Sequence, residues 1–243
     1  MELSILTPTY NRRKFIPLMA TNLQNFDYDK TKLEHVIYDD CKDNKLFINT
    51  QELEYYKSLV YPIKVNYIYN PKRHLTIGEK RNLLVKNAKY KILINMDDDD
   101  IYFPTYLKYS VDLLIKNNVG IVGSPEMMFL FPNDDYKMTA IQCEGKHQAH
   151  EATFCFTKKH FNSMGGFGKN SKGEGTKMIT FNENRAMMSE IKFCMCCIGH
   201  SNNTVDKKQF MDTQELELSE YIIKVYVPIL EHIFENNYYE IIE

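Results

Sequence analysis

The sequence contains no tryptophan and only 10 glycines and 8 prolines among its 243 residues. It also lacks an excess of charge of either sign, because 30 Lys and Arg residues stand against 32 Asp and Glu residues, for a formal net charge of −2. This balance argues against nucleic acid as a partner, which a strongly basic surface would indicate. With 44% hydrophobic and 26% charged residues, the composition excludes a disordered tail, a collagen-like repeat and a small disulfide scaffold.

Long apolar runs are also missing. No segment approaches the roughly 20 consecutive apolar residues that a membrane-spanning helix needs. The N-terminus has Glu2 and Ser4 where a signal peptide has a basic region, and Pro8 ends the first apolar run early. We therefore expect a soluble cytoplasmic protein with no signal peptide and no transmembrane segment.

The cysteines do not have the spacing of a disulfide framework or of a complete metal-binding motif. There are six of them: Cys41, Cys143, Cys155, Cys194, Cys196 and Cys197. We expect reduced thiols, with the cluster at 194–197 packed in a strand.

The first 100 residues alternate between short apolar runs and helical patterns. Strands are predicted at 3–6, 35–38, 63–68 and 90–96, and helices at 14–23, 50–59 and 77–88. This rhythm predicts a parallel sheet covered on both faces. Ligands of such sheets bind at the carboxyl ends of the strands, where polar residues stand at 7–12, 39–40 and 97–100.

The second half is less regular. A helix is predicted at 104–116, with strands at 119–122, 152–157 and 193–198 and an antiparallel pair at 127–130 and 138–143. A glycine-rich stretch covers 165–175. Residues 213–236 have a helical pattern with one apolar face, in which Pro228 predicts a kink.

Four consecutive carboxylates, Asp97 to Asp100, directly follow a predicted buried strand. They would repel one another unless a cation neutralised them. Since alternate residues at a strand end point the same way, Asp97 and Asp99 can face one divalent cation, which completes its shell with water and substrate phosphates. The alternative is a solvated acidic turn that caps the next helix, although a cap needs only one or two acids.

Four segments, in order and at the predicted strand ends, resemble family 2 glycosyltransferases. Residues 3–12 (LSILTPTYNR) are similar to the opening strand and loop, and residues 36–43 (VIYDDCKD) to an apolar run followed by Asp-Asp-Gly-Ser-x-Asp. Residues 78–82 (GEKRN) resemble the Gly…Ala-Arg-Asn segment, and residues 95–104 (NMDDDDIYFP) the pattern Asp-Ser-Asp-Asp-x-x-x-Pro. More loosely, 152–161 and 165–168 resemble a later strand, helix and Gly-Gly-Phe-Asp of these enzymes.

This resemblance implies an α/β protein of the GT-A fold, with a Rossmann-like, mostly parallel central sheet flanked by helices and a smaller antiparallel sheet on the acceptor side. We expect one domain over 1–243, with a nucleotide-sugar-binding half at 1–100, an acceptor and catalytic half at 101–211 and a helical region at 212–243. The implied reaction is the inverting transfer of a sugar from a nucleoside-diphosphate sugar, expected to be a UDP-sugar, to an acceptor hydroxyl of a glycan, a protein, a lipid or a small molecule. Mn²⁺ or Mg²⁺ is the implied cofactor.

The same resemblance implies the site residues. The nucleotide pocket would be lined by Thr7, Pro8, Thr9, Tyr10 and Arg12. Asp39 or Asp40 would accept the ring N–H of the base, and Arg81 would hold the base or the diphosphate. Asp97 and Asp98 would approach the ribose. The metal would be held by Asp97, Asp99 and His200. For His200, the alternative is a turn histidine with a solvated ring. His147 and His150 are expected at the surface.

The catalytic base is expected where this family has an acidic pair, and here the matching residues are Gly173, Glu174 and Gly175. The second acid of the pair is missing. Glu174 is the leading candidate, since its longer side chain could reach the same place, and Glu151 is the second candidate. A surface Glu174 in a flexible loop is the alternative.

Two other classes of function remain open at this point. The missing acid at Gly175 is compatible with a catalytically silent module that binds a nucleotide sugar. The acidic run is compatible with a metal-dependent nucleotidyltransferase or phosphohydrolase.

Overall fold

The computed structural model describes residues 1–142, 149–179, 186–201 and 203–235. In this part of the chain the strands are β1 (Leu3–Thr9), β2 (Leu33–Asp39), β3 (Lys64–Tyr69), β4 (Ile92–Asn95), β5 (Ile101–Tyr102), β6 (Ile121–Gly123), β7 (Glu126–Phe131), β8 (Lys137–Gln142), β9 (Cys155–Thr157), β10 (Ala186–Met188), β11 (Met195–Ile198) and β12 (Gln214–Leu216). The α-helices are α1 (Ile16–Asn25), α2 (Thr50–Leu59), α3 (Ile77–Asn87), α4 (Tyr106–Lys116), α5 (Lys158–Met164), α6 (Glu220–Val225) and α7 (Val227–Glu235).

The main sheet has seven strands in the order β10-β6-β9-β4-β1-β2-β3. Strands β1 to β4 run parallel to one another where they pair, and β9 runs antiparallel to both of its neighbours. Each of the first four predicted strands and three predicted helices is present, with ends shifted by at most three residues. The parallel sheet expected from the sequence is therefore confirmed.

Both faces of this sheet are covered, because side chains on β1 alternate between two buried clusters. Leu3 and Ile5 join the cluster under α1, α2 and α4, whereas Leu6 joins the cluster under α3. All three side chains are fully buried. Burial of each one contributes about 1.5–3 kcal/mol to stability.

The second sheet has the order β12-β8-β7-β11-β5. Its pairs are antiparallel except for β7 and β11, which are parallel. Strand β5 directly follows residues 97–100, and its partner β11 ends directly before Gly199 and His200. The pairing of β5 with β11 therefore brings the acidic run next to His200.

Two sequence predictions in the second half were wrong in detail. Residues 152–157 were expected as one strand, but Glu151–Thr153 form a 3-10 turn and only Cys155–Thr157 form β9. The Thr153 hydroxyl donates to the His150 carbonyl at 2.6 Å and accepts from the Ser124 N–H at 2.8 Å. Such local bonds favour a turn over a strand.

The C-terminal segment differs as well. Residues 214–216, expected to be helical, form β12 on the edge of the second sheet. The helix then breaks at Tyr226, two residues before Pro228, which cannot donate to the carbonyl four residues earlier. The Tyr226 hydroxyl binds Asn22 Oδ1 and the Tyr102 carbonyl, both at 3.1 Å, and so holds this segment on the domain.

The five described cysteines are free thiols and are buried, three of them at 194–197 in or beside β11, as expected. Cys143 lies outside the described residues. Within the described part of the chain, no helix combines the length and the apolar character required to cross a bilayer.

Candidate active site

The carboxyl ends of β1, β2 and β4 meet at one edge of the main sheet because these strands are parallel. The loop after β1 carries Tyr10 and Arg12, β2 is followed by Asp40, and β4 is followed by the acidic segment, residues 97–100. Helix α3 begins at the same edge with a capping box, in which the Thr76 hydroxyl accepts from the Glu79 N–H and the Glu79 carboxylate accepts from the Thr76 N–H.

Two cavities open over the acidic segment. The first cavity, of about 440 Å³, lies between the β1 loop and the start of α3. The second cavity, of about 300 Å³, lies between α3, the turn at Glu151 and the loop that carries Glu174. Both are lined by Ile77, Asp97, Asp99, Ser171 and Thr204. The acidic segment therefore forms a shared boundary between two neighbouring spaces.

The four carboxylates of the acidic segment are matched by cations of the protein itself. Arg81 Nη2 lies 2.9 Å from Asp97 Oδ1, and Lys207 Nζ lies 3.5 Å from Asp100 Oδ1. Arg12 lies 3.8 Å from Asp98 and 3.2 Å from Asp99. These three cations reduce the repulsion among the four carboxylates without a metal. The acidic run alone is therefore no longer a reason to expect a metal, and the argument for one must come from the groups around Asp99.

The pKa values of the segment diverge. Burial and the charge of Asp99 raise the pKa of Asp98 well above its usual range. Burial also raises the pKa of Asp100, to about 7, despite Lys207. Burial alone would raise the pKa of Asp99 too, but the hydrogen bond from His200 and the charge of Arg12 outweigh it and lower that pKa. Asp99 is therefore the most strongly ionised of these three side chains.

Three nitrogen groups converge on Asp99 Oδ2. His200 Nε2 lies 2.9 Å away, Arg12 Nη2 3.2 Å and Asn203 Nδ2 3.4 Å. The side chain of His200 is 2% exposed and packs against the rings of Phe15 and Phe234. Burial lowers the pKa of His200 in spite of Asp99, so the imidazole is neutral near pH 7, which is the form that binds a metal.

Asp99 and His200 are a donor pair that Mn²⁺ and Mg²⁺ accept, in particular Mn²⁺ with its tolerance for imidazole. Asp97 lies at the same boundary, but its carboxylate binds Arg81 through both oxygens, at 2.9 and 3.3 Å. In the described ranges, no group of three or more His, Cys, Asp and Glu side chains is arranged to enclose a metal ion. The residues fit a cation that takes two protein ligands and draws the others from water and a bound diphosphate.

Arg81 connects the two sides of the site. Its Nε donates to Glu174 Oε1 at 3.0 Å, while Nη2 binds Asp97. The side chains of Arg81 and Glu174 are 2% and 5% exposed. Burial would lower the pKa of Arg81, but Asp97 and Glu174 together raise it. The result is a buried ion triad that links α3 to the acidic segment and to the loop at 173–175.

Helix α3 can approach this loop closely because residue 78 is glycine. A Cβ atom at Gly78 would lie 1.8 Å from the Gly168 carbonyl oxygen. Asn82 exchanges two hydrogen bonds with Phe167, at 2.9 and 3.0 Å. Gly78, Arg81 and Asn82 of the GEKRN segment therefore each hold the loop that carries Glu174.

The predicted nucleotide residues fall into two groups. Pro8, Thr9, Tyr10, Arg12, Asp97 and Asp98 line the first cavity. Thr7 is fully buried behind it, where its hydroxyl is hydrogen-bonded to His35 and to the Met96 carbonyl. Asp39 is fully buried as well and accepts hydrogen bonds from the N–H groups of Cys41 and Leu46 and from the Tyr67 hydroxyl. Its carboxylate fixes the loop after β2.

Asp40 contacts residues that line this cavity: its Oδ1 lies 2.5 Å from Lys80 Nζ in an ion pair, and its Oδ2 accepts from the Leu75 N–H at 2.5 Å. Lys80 and His74 line the first cavity, and the sequence interpretation had not assigned either of them to the site. The His74 ring lies 4.1 Å from that of Tyr10. The signal for Lys80 was present in the GEKRN segment, next to Arg81.

The second cavity contains both candidate bases, Glu151 and Glu174, together with Arg81, Lys207 and His150. His150 was expected at the surface, and in the structure it is half-buried. Burial lowers the pKa of its imidazole to about 3, so the ring is neutral near pH 7. His147 lies outside the described residues.

Known proteins share this arrangement of acidic residues at the ends of parallel strands with a second sheet beside them. The chain belongs to Glycosyl transferase family 2, whose family model matches residues 4–197.

Particular relatives are more distant. The chain is 30% identical over 139 residues to TarS of Staphylococcus aureus (strain Mu50 / ATCC 700699), named poly(ribitol-phosphate) beta-N-acetylglucosaminyltransferase. That match covers 53% of this chain and 23% of the relative. A glycosyltransferase of Haemophilus influenzae, described as uncharacterized, is 26% identical over 124 residues, which cover 51% of this chain and 38% of that protein.

Two solved structures show the same fold. Residues 1–349 of S. aureus TarS in complex with UDP-GlcNAc superpose with a TM-score of 0.63 at 17% identity, covering 84% of this chain and 60% of that one. The mannosyltransferase PcManGT from Pyrobaculum calidifontis, in complex with GDP-Man and Mn²⁺, gives a TM-score of 0.63 at 18% identity, covering 86% and 58%. These similarities confirm the GT-A fold. The chain spans less than two thirds of the length of each of these proteins.

Proposed function

We propose that this chain transfers a sugar from a UDP-sugar to an acceptor hydroxyl, with inversion at the anomeric carbon and with the help of Mn²⁺ or Mg²⁺. The observation that carries the proposal is the pair of cavities that share Asp97 and Asp99. A sugar-transfer site needs a space for the nucleotide and a space for the acceptor, and the reacting carbon must lie between them. Membership of family 2 and the nucleotide-sugar complexes of the structural neighbours support the same assignment.

The first cavity is the proposed nucleotide side. Tyr10, which is 43% exposed, offers an aromatic face for the base, and Asp40 offers a carboxylate of the kind that accepts an imide N–H. Arg12 and Lys80 supply positive charge for the diphosphate. Thr7 and Asp39 would hold the loops after β1 and β2 in place through their buried hydrogen bonds.

The metal is proposed to bind Asp99 and His200. Asp97 lies nearby, with its carboxylate bound to Arg81. When bound, such a cation neutralises the charge that develops on the departing diphosphate. Asp99 contributes the carboxylate, and the neutral imidazole of His200 contributes a nitrogen donor. Arg12, 3.2 Å from Asp99, is placed to turn toward the phosphates instead.

The second cavity is the proposed acceptor side. It holds two carboxylates, of which the sequence favours Glu174 as the base and keeps Glu151 as the second candidate. The relative TarS is named for transfer to poly(ribitol phosphate), which makes that polymer a suitable first acceptor to test beside glycans, proteins and small molecules.

A thermal-shift screen of nucleotides tests the donor class. UDP and UDP-sugars with Mn²⁺ are expected to raise the melting temperature, since a ligand at about 100 times its Kd stabilises the folded state by about 2.7 kcal/mol. For a chain of this size that is a shift of roughly 5–11 °C. EDTA should remove most of it, and CDP and GDP should give smaller shifts. A UDP shift that is unaffected by EDTA would contradict the metal proposal, and equal shifts from GDP and UDP would contradict the choice of uridine.

A further inference from the structure

The space beside Gly175 is filled by the side chain of Glu151. A Cβ atom at Gly175 would lie 2.5 Å from Glu151 Cγ and 2.5 Å from the Phe154 ring. The Gly175 N–H donates to Glu151 Oε1 at 3.2 Å. A side chain at position 175 would therefore overlap the side chains of Glu151 and Phe154, which occupy this place in the chain.

The turn that carries Glu151 is held firmly against the acidic segment. Asn95 Nδ2 donates to the Glu151 carbonyl at 2.7 Å. The hydroxyls of Tyr102 and Tyr106 both donate to the Ala152 carbonyl, at 3.2 and 3.1 Å, and Tyr102 also accepts from the Asp97 N–H. These bonds fix the start of the Glu151 side chain relative to Asp97, as a catalytic group requires.

The two carboxylates of the second cavity differ in what they contact. Glu174 is 5% exposed, and its Oε1 accepts from the guanidinium of Arg81. Glu151 is less deeply buried and accepts from a neutral backbone N–H. Glu174 is therefore engaged in the ion triad, whereas Glu151 lines the cavity and forms no ion pair with any residue that the structure describes.

We propose that Glu151, rather than Glu174, is the general base of the transfer reaction, and that its carboxylate takes the place left by the missing acid at position 175. This inference rests on the proposed function. Glu174 then acts as a positioning residue, through Arg81.

In the proposed step the acceptor oxygen forms a bond to the anomeric carbon while the bond from that carbon to the β-phosphate oxygen breaks. The electron pair of the broken bond stays on the departing UDP. The acceptor proton passes to a carboxylate oxygen of Glu151, which becomes neutral and later releases the proton to solvent. No oxidant, reductant or further reactant is needed.

The electrostatics agree with this role. Burial and the charge of Glu174 raise the pKa of Glu151 to about 7, while Arg81 acts in the opposite direction. A base is most effective when its pKa lies near the working pH. Glu174 and Arg81 act on Glu151 from the neighbouring loop and from α3. The other charged residues that line the same cavity are Asp97, Asp99, Asp100, Lys172 and Lys207.

Glu151→Gln tests the assignment, since it keeps the shape and an oxygen acceptor for the Gly175 N–H. The readout is UDP release from UDP-N-acetylglucosamine with Mn²⁺ and water as acceptor, measured from pH 5.5 to 9. We expect E151Q to lower kcat by about 10²–10⁴-fold and to lose the acid limb of the kcat profile near pH 7. Glu174→Gln should keep an acid limb but move it to lower pH, because the charge of Glu174 that raises the pKa of Glu151 is removed. The thermal shift with UDP and Mn²⁺ should be unchanged in E151Q, which shows that the variant folds and binds donor.

The outcomes separate the two levels of inference. If E151Q binds UDP and retains its rate and its acid limb, or if E174Q alone loses that limb, Glu151 is not the base and the proposed function stands. If the wild-type protein binds UDP-N-acetylglucosamine with Mn²⁺ but releases no UDP either with water or with poly(ribitol phosphate) as acceptor, the proposed function and the base assignment both fail.

Discussion

Asp99→Asn is expected to lower the Mn²⁺-dependent affinity for UDP by at least about 10²-fold, because one of the two protein ligands of the proposed metal is lost. Loss of a residue that only hydrogen-bonds to a metal ligand already lowers metal affinity by about 10–100-fold. The substitution keeps the size of the side chain and one oxygen that can accept hydrogen bonds from His200 and Asn203. It removes the charge that attracts a divalent cation. Titration calorimetry of UDP into protein with Mn²⁺, and again with EDTA, measures the change.

Asp112→Asn is the matched control, since Asp112 is half exposed on α4 and its carboxylate lies near Lys116 rather than at the site. Its UDP affinity should equal that of the wild type. An Asp99→Asn variant whose affinity with Mn²⁺ stays within about threefold of the wild type, a difference below about 1 kcal/mol, would remove Asp99 from the metal site.

Arg81→Met is expected to lower the free energy of unfolding by about 3–5 kcal/mol, the range measured when one partner of a buried ion pair is removed. Methionine fills a similar volume but leaves two unpaired carboxylates next to it, Asp97, which is 25% exposed, and the buried Glu174. Urea unfolding followed by circular dichroism measures the loss. Arg73→Met is the control, because Arg73 pairs with Glu79 at 2.6 Å but is 69% exposed, and it should change stability little.

The pH dependence of Arg81→Met has a definite sign. Burial already raises the pKa of Asp97 and Arg81 opposes that rise, so without the cation the pKa of Asp97 in the folded state lies further above that of the unfolded chain. The folded state then binds more protons than the unfolded state, so stability falls as pH rises through this range. The deficit relative to the wild type should be larger at pH 8 than at pH 5.5. Adding Glu174→Gln should recover part of it, whereas a deficit that does not vary with pH would contradict the ion triad.

The sequence predicted the main sheet well because its strands are local signals. The apolar runs at β1, β2 and β4 are each followed by polar residues, and parallel strands bring those ends together whatever the details of packing. For this reason the β1 loop, Asp40 and the acidic segment could be expected at one edge before any contact was known.

The partners of the acidic segment could not be predicted in this way. Lys207 is 107 residues from Asp100 in sequence, and Arg12 is 87 residues from Asp99, so their pairing is set by the packing of the whole domain. The four carboxylates alone indicated a metal, whereas the structure supplies Arg12, Arg81 and Lys207 as well. The argument for a bound cation therefore comes from Asp99 and His200, which place a carboxylate oxygen and an imidazole nitrogen next to each other.

The relation between Glu151 and Gly175 was equally hidden. The family pattern marked the missing acid at Gly175, but only the tertiary contact between Glu151 Cγ and that glycine shows how the space is filled. The 3-10 turn that makes this contact was expected as a strand, since its apolar neighbours at 154–156 dominated the pattern. A single sequence does not show which of two nearby turns presents its carboxylate to a cavity.

The most direct test of the proposed activity is ³¹P nuclear magnetic resonance of UDP-N-acetylglucosamine with the wild-type protein and Mn²⁺, with and without poly(ribitol phosphate). Transfer breaks the bond between sugar and β-phosphate, so the expected product is intact UDP, formed faster with a competent acceptor. UMP with sugar 1-phosphate, or free phosphate, would indicate nucleotidyl or phosphoryl chemistry instead. A nucleotide sugar that binds but stays unchanged would indicate a silent binding module, and either result would contradict sugar transfer by this chain.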